Sequence, residues 1–279
     1  MNSILVTGSS GFIGSKVIEK LDKSQIITDS NKSKRIDLQN VNEVLKIDFA
    51  DTVIHLGGKI PSKELQWKDY FNNNVSGTFN ILEYCIKKKV KKLIYISSYV
   101  YGNPKYCPID ENHPINPHNA YSASKFYGEQ LCKHYCDKSD LSVIILRPFN
   151  IFGESMNEGF LLTNLINSLK TGEKNIIINK NSKRDFLHID DFVDLILKIK
   201  DYDCKFEIFN VGSEISLSFE DIIKKIEYLT SKKLNLKYLE DEEIFIADIR
   251  ADISKIKDKL NWEPKIKFEE GLKKMLNIY

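Results

Sequence analysis

Short apolar runs alternate with stretches of helical spacing through the first hundred residues. Ile4-Leu5-Val6, Gln25-Ile26-Ile27-Thr28, Thr52-Val53-Ile54-His55-Leu56 and residues 92–97 read as four strands. Between them, residues 12–21, 41–47 and 75–88 carry apolar positions three and four apart, as helices do. The strands are continuously apolar rather than alternating, which is the pattern of strands covered on both faces. Strands alternating with helices predict an α/β fold with a doubly wound parallel sheet. Residues 102–119 hold Pro104, Pro108, Pro114 and Pro117 and are expected to be irregular. A long helix over 120–137 and a strand at Val143-Ile144-Ile145-Leu146 follow. Past Gly153 the pattern loosens into helices, short strands and charge clusters such as Glu240 to Glu243.

Composition narrows the classes. The 279 residues carry 41 Lys and Arg against 39 Asp and Glu, a net charge of +2 that disfavours a nucleic-acid partner. No apolar run reaches the roughly 18 residues of a membrane helix, and the apolar start breaks at Thr7-Gly8, so neither a membrane nor a signal peptide is expected. Five cysteines without framework spacing suit a reduced, cytoplasmic protein. Cys132 and Cys136 share a helical face, but no four-ligand set accompanies them, so no metal is expected.

Thr7-Gly8-Ser9-Ser10-Gly11-Phe12-Ile13-Gly14 follows the first strand and opens the first helix. In that context the glycines allow a tight turn and close approach of backbone to a pyrophosphate, and the helix N-terminus offers it free N–H groups. Asp29, at the end of the second strand, is placed to take the adenosine ribose of NAD. Lys32, Lys34 and Arg35 follow at once and could instead hold the 2′-phosphate of NADP. Asp37 is a second candidate for the adenine end.

Tyr121-Ser122-Ala123-Ser124-Lys125 opens the long helix, and residues four apart share a face. A phenolate at neutral pH costs roughly 4 kcal/mol for an ordinary tyrosine. A neighbouring ammonium lowers that cost, so Tyr121 could exchange a proton with a sugar hydroxyl while hydride moves to or from the cofactor. Open α/β sheets place their sites at the strand ends, where Ser97 and Ser98 lie.

These elements together resemble the extended short-chain dehydrogenase/reductase family. Val53-Ile54-His55-Leu56-Gly57-Gly58, Asn74-Val75-Ser76-Gly77-Thr78, Leu146-Arg147-Pro148-Phe149-Asn150-Ile151-Phe152-Gly153 and Arg184-Asp185-Phe186-Leu187-His188-Ile189-Asp190-Asp191 match its motifs in order, and Trp262-Glu263-Pro264 extends the match toward the C-terminus. The resemblance implies a Rossmann NAD(P)-binding domain over 1–152 plus about 184–212. It also implies a small C-terminal α/β substrate-binding domain over about 153–183 plus 213–279. Carried over by position, Ser97, Tyr121 and Lys125 form the catalytic triad. Gly8, Ser10, Gly11, Phe12, Ile13, Gly14, Asp29, Lys32, Asp37, Leu38, Leu56, Gly57, Gly58, Asn74 and Pro148, with Tyr121 and Lys125, line the NAD or NADP site. Ser98, Tyr99, Asn150, Arg184 and Arg250 face a nucleotide-diphospho-sugar, the arginines at its diphosphate.

Within the family, 4,6-dehydratases carry an Asp-Glu pair where this chain has Ser98-Tyr99, so dehydration is disfavoured, and decarboxylation with it. A 4-keto-6-deoxy-sugar reductase and a 4-epimerase remain. The short 14–37 connection and the basic cluster at 32–35 tilt the expectation toward the reductase. A non-catalytic nucleotide-binding relative is the rival of another class. The helices over 75–88 and 120–137 often pair between subunits in this family, so a homodimer is expected.

Overall fold

The computed structural model describes residues 3–31, 34–62, 64–239 and 248–278. Two compact units divide the chain.

The first unit comprises residues 1–102, 115–148 and 193–209. Its frame is a sheet of six strands: β1 (Ile4–Thr7), β2 (Ile26–Thr28), β3 (Thr52–His55), β4 (Lys92–Ile96), β5 (Ser142–Pro148) and β6 (Phe206–Val211), in the spatial order β6-β5-β4-β3-β1-β2. The β2/β1, β1/β3, β3/β4 and β4/β5 pairs are parallel. The order reverses between β1 and β3, the switch point at whose carboxyl end open α/β sheets bind ligands. β1 and β4 are buried along their whole length, which accounts for their unbroken apolar sequence. Helices α1 (Phe12–Lys20), α2 (Gly77–Lys88) and α3 (Ala120–Lys138) cover the sheet. On one side Leu5, Val53, Leu93 and Val143 pack with Ile81, Tyr84, Cys85, Cys132 and Cys136. The cysteine pair on α3 is therefore core packing.

The Asn74-Val75-Ser76-Gly77-Thr78 motif is not a helix start. Helical backbone already runs from Trp67, through a π segment over Phe71–Ser76, directly into α2. The wider π turn falls at Asn74, whose side chain is buried. Asn119 caps α3 through a hydrogen bond from the Ser122 N–H, returned by the Ser122 hydroxyl to the Asn119 carbonyl.

The second unit comprises residues 103–114, 149–192 and 210–279. The division differs from the expected boundaries. Residues 103–114 join this unit because Ile109 exchanges backbone hydrogen bonds with Arg250 and Asp252 and accepts one from the Asn210 side chain. The returning segment is shorter than 184–212, since the Lys183–His188 strand pairs with Asn150–Phe152, Ser216–Ser218 and Asp248–Ile249. Helices Leu161–Thr171, Phe219–Thr230 and Phe268–Leu276 close a second core around Phe152, Leu165, Ile222, Ile226 and Leu272.

Candidate active site

The glycine loop leaves β1 at the switch point. Gly8 has φ +69, and a Cβ there would lie 2.8 Å from the Gly57 nitrogen, so the turn demands glycine twice over. A Cβ on Gly14 would stand 2.1 Å from the Gly8 carbonyl oxygen, which lets α1 start hard against the strand. Gly11 is the N-cap of α1 and supplies no side-chain cap, and no acid occupies the first turn. The N–H groups at Phe12, Ile13 and Gly14 thus point out of an uncapped, positively polarised helix end, which fits a pyrophosphate. Ser10 lies exposed at the tip.

Asp29 is buried, and its carboxylate accepts hydrogen bonds from Gly8 N (2.7 Å), Ser9 N (3.4 Å) and the Ser9 hydroxyl (2.8 Å). The sequence assigned it to a ribose; the structure also has it lock the glycine turn, and a carboxylate's two oxygens have lone pairs for both. Asp37 is exposed and accepts from Gln39 N. Lys32 and the side chains of Lys34 and Arg35 lie outside the described residues, as does the 240–247 segment with Glu240 to Glu243.

Behind the loop, Thr7, His55 and Tyr95 stand in one row across β1, β3 and β4. His55 is wholly buried, with Nδ1 2.6 Å from the Thr7 hydroxyl and Nε2 3.1 Å from that of Thr78. Thr78 spends its proton on the Asn74 carbonyl, so it accepts from Nε2–H, and Nδ1 accepts from Thr7. Thr7 in turn accepts from Gly57 N–H. Burial, then the charge of Lys125, pushes the imidazole pKa down to about 3, so His55 is a neutral link in this relay. The Asn74 amide exchanges hydrogen bonds with the Lys59 backbone and donates to the Ser124 hydroxyl at 2.8 Å. A Cβ on Gly58 would strike Asn74 Oδ1. Leu38 and Leu56 are half-buried around Gly57, and Pro148 ends β5.

Tyr121 and Lys125 share one face of α3. Tyr121 is half-buried with its ring edge-on to Tyr70 at 6.1 Å. Burial raises its pKa, while a hydrogen bond with the Ser98 side chain favours the phenolate. Lys125 is buried with Nζ 4.4 Å from the centre of the Tyr95 ring. Desolvation pushes its pKa down to about 8, against the opposing pull of Cys132 and Glu129.

Ser97 behaves differently from the expectation. Its hydroxyl is buried and donates to Glu129 Oε1 at 2.5 Å, while the hydroxyl beside Tyr121 is that of Ser98. The spacing did not reveal Glu129 and Arg147 as partners of Ser97, because the three meet only when β4, α3 and β5 pack. The Tyr99 hydroxyl donates to the Gly102 carbonyl and its ring packs on Tyr101.

The remaining expected positions belong to the second unit. The Asn150 amide donates to the Asp185 carbonyl at 2.8 Å. Arg184 lies over the Phe219 ring. Arg250 Nε is buried without a hydrogen-bond partner among the described residues. Next to it, Asp185 accepts from Ala251 N, Ser213 N, the Ser213 hydroxyl and Glu214 N.

Residues 4–212 match the model of the NAD dependent epimerase/dehydratase family. The chain belongs to that family. It is 31% identical, over 98% of its length and 97% of the other's, to a putative UDP-glucose 4-epimerase of Methanocaldococcus jannaschii. It is likewise 31% identical to a UDP-glucuronate 4-epimerase of Thermodesulfobacterium geofontis, over 99% and 96% of the two chains. The solved UDP-glucuronic acid 4-epimerase of Bacillus cereus, in complex with NAD, matches it with a TM-score of 0.86 at 26% identity, covering 99% of this chain and 97% of that one. These family relatives favour the epimerase over the 4-keto-sugar reductase toward which the sequence tilted. The tilt rested on the 14–37 connection and its lysines, which concern the adenosine end and say nothing of the reacting carbon.

Proposed function

We propose that this family member is an NAD-dependent nucleotide-sugar 4-epimerase acting on a UDP-hexose. The observation that carries the chemistry is the Tyr121 phenol beside the Ser98 side chain, one turn before a buried lysine on the same helix. The relatives that match the whole chain support the 4-epimerase over the reductase. Bound NAD would accept a hydride from the sugar C4 and return it to the opposite face. Tyr121 then holds and moves the C4 hydroxyl proton, Ser98 steadies the phenol, and the charge of Lys125 lowers the cost of the phenolate. The uncapped α1 N-terminus with Gly8, Gly11 and Gly14 would hold the pyrophosphate, and Asp29 the adenosine ribose. Arg250 and Arg184 would take the sugar nucleotide's diphosphate, with Asn150 beside it.

The same reading has the enzyme work in the cytoplasm, as a homodimer. Exposed Phe79, Ile86 and Tyr127 on α2 and α3 support pairing of those helices between two chains. Light scattering giving a mass near the 32.3 kDa of one chain would overturn the dimer.

The test incubates purified protein with UDP-glucose, UDP-glucuronate and UDP-N-acetylglucosamine in turn, with NAD. We expect the 4-epimer of one of them to accumulate with no net consumption of nicotinamide. Failure with all three, or one-for-one consumption of NADPH with a nucleotide 4-keto-6-deoxy sugar, would overturn the reading. Tyr121→Phe should lower kcat by roughly 10³-fold, within the usual range for general acid–base groups. A non-catalytic relative would show no turnover to lose.

A further inference from the structure

A second buried cluster stands behind the expected catalytic residues. Arg147 Nε and Nη2 donate to the two carboxylate oxygens of Glu129 at 2.9 and 2.6 Å, and Nη1 donates to the Tyr101 hydroxyl at 2.8 Å. The Ser97 hydroxyl completes the set on Glu129 Oε1. All four residues are 3% exposed or less. The cluster joins the end of β4, the middle of α3 and the end of β5. A planar guanidinium fork on a carboxylate admits one relative orientation, so the cluster fixes direction more than it adds stability. Ser97 gives its hydroxyl to Glu129, and the hydroxyl beside Tyr121 is that of Ser98.

We propose that Glu129, clamped by Arg147, is a positioning residue of the reaction, and that Ser98 rather than Ser97 is the hydroxyl that serves Tyr121. The proposal rests on the 4-epimerase reading above and deepens it. Glu129 has a second route to the reaction, because it lies one turn from Lys125. Lys125 faces Tyr95 from β4, His55 from β3, and Glu129 and Cys132 on its own helix. Of these Glu129 alone opposes the ammonium with a formal negative charge.

The experiment measures kcat, KM and the pH profile of kcat/KM on the UDP-hexose that the wild type turns over. Ser98→Ala should lower kcat by about 10²-fold with KM within about threefold. Ser97→Ala should cost less than about fivefold, since Glu129 Oε1 keeps its bond from Arg147 Nε. Glu129→Gln, checked for native circular dichroism, should move the alkaline limb of the profile to lower pH, because Lys125 loses a neighbouring negative charge. A purely structural Glu129 would lower the melting temperature and leave that limb in place. The proposal is overturned if Ser97→Ala loses as much kcat as Ser98→Ala, or if Glu129→Gln leaves the limb unmoved. Tyr121→Phe separates the two levels. If it keeps wild-type turnover, or if the wild type is inert on every UDP-hexose, the 4-epimerase reading itself falls. If it is inactive while Ser97→Ala is as damaged as Ser98→Ala, only the serine assignment falls.

Discussion

Each unit of the molecule buries a carboxylate beside its expected working residues, and the two are held differently. Glu129 in the first unit is met by a guanidinium, with two of its N–H groups on two oxygens. Asp185 in the second is met by three backbone N–H groups and one hydroxyl, from Ser213, Glu214 and Ala251. The first arrangement ties two strand ends of the parallel sheet to the helix α3 with side chains. The second gathers loop backbone, and with it the chain leading into Arg250. Desolvation still raises the Asp185 pKa, despite donors that favour its charge. A buried charge is thus affordable with either a cation or a ring of amides, and which one is used decides what it organises: an orientation in one case, a loop in the other.

Removing one partner should separate the two designs. Glu129→Ala leaves Arg147 buried and unpaired and should cost about 3–5 kcal/mol in chemical denaturation. A loss near 1 kcal/mol would mean water reaches the arginine. The relay through His55 comes next. Its folded pKa of about 3 lies below the ordinary 6.5, so its contribution is full above pH 6.5 and is lost as pH falls from 6.5 toward 3. By pH 4.5 the loss should be on the order of 2–3 kcal/mol. Melting temperatures between pH 7 and 4.5 should fall more steeply for the wild type than for His55→Asn; equal slopes would remove His55 from the account. Asp185→Asn turns an amide NH2 toward donors and should cost about 2 kcal/mol. Through Arg250 it should also raise KM more than it lowers kcat, and an unchanged KM would break that link. Lys133→Ala, in an exposed pair with Asp137 on the same α3 helix, should cost under about 0.5 kcal/mol. A larger cost would show that charge itself, rather than its burial, carries the contrast.

Much of the first unit was legible in the sequence because its signals are local. Unbroken apolar strands, the glycine loop and Tyr121 four residues before Lys125 each declare themselves within ten residues, through sheet burial, backbone clearance and helical period. The helix at Asn74 was misplaced at its start because a π turn preserves helical continuity across a motif that resembles a beginning. The unit boundaries moved because pairing of Ile109 with Ala251 spans more than a hundred residues, and no local pattern reports it.

The sequence by itself determined the β/α alternation, the phosphate-ready loop and the tyrosine–lysine pair, since steric and periodic rules act between near neighbours. Only the tertiary structure decided the direction of hydroxyls and carboxylates. Ser97 and Ser98 are chemically identical and adjacent, and what distinguishes them is Glu129, 32 residues on from Ser97, held by Arg147 from another strand. Asp29 likewise acquired its hold on the glycine turn from the parallel pairing of β1 with β2. Hydrogen bonds are short-ranged in space and indifferent to separation along the chain, so their choice of partner is made when the elements pack.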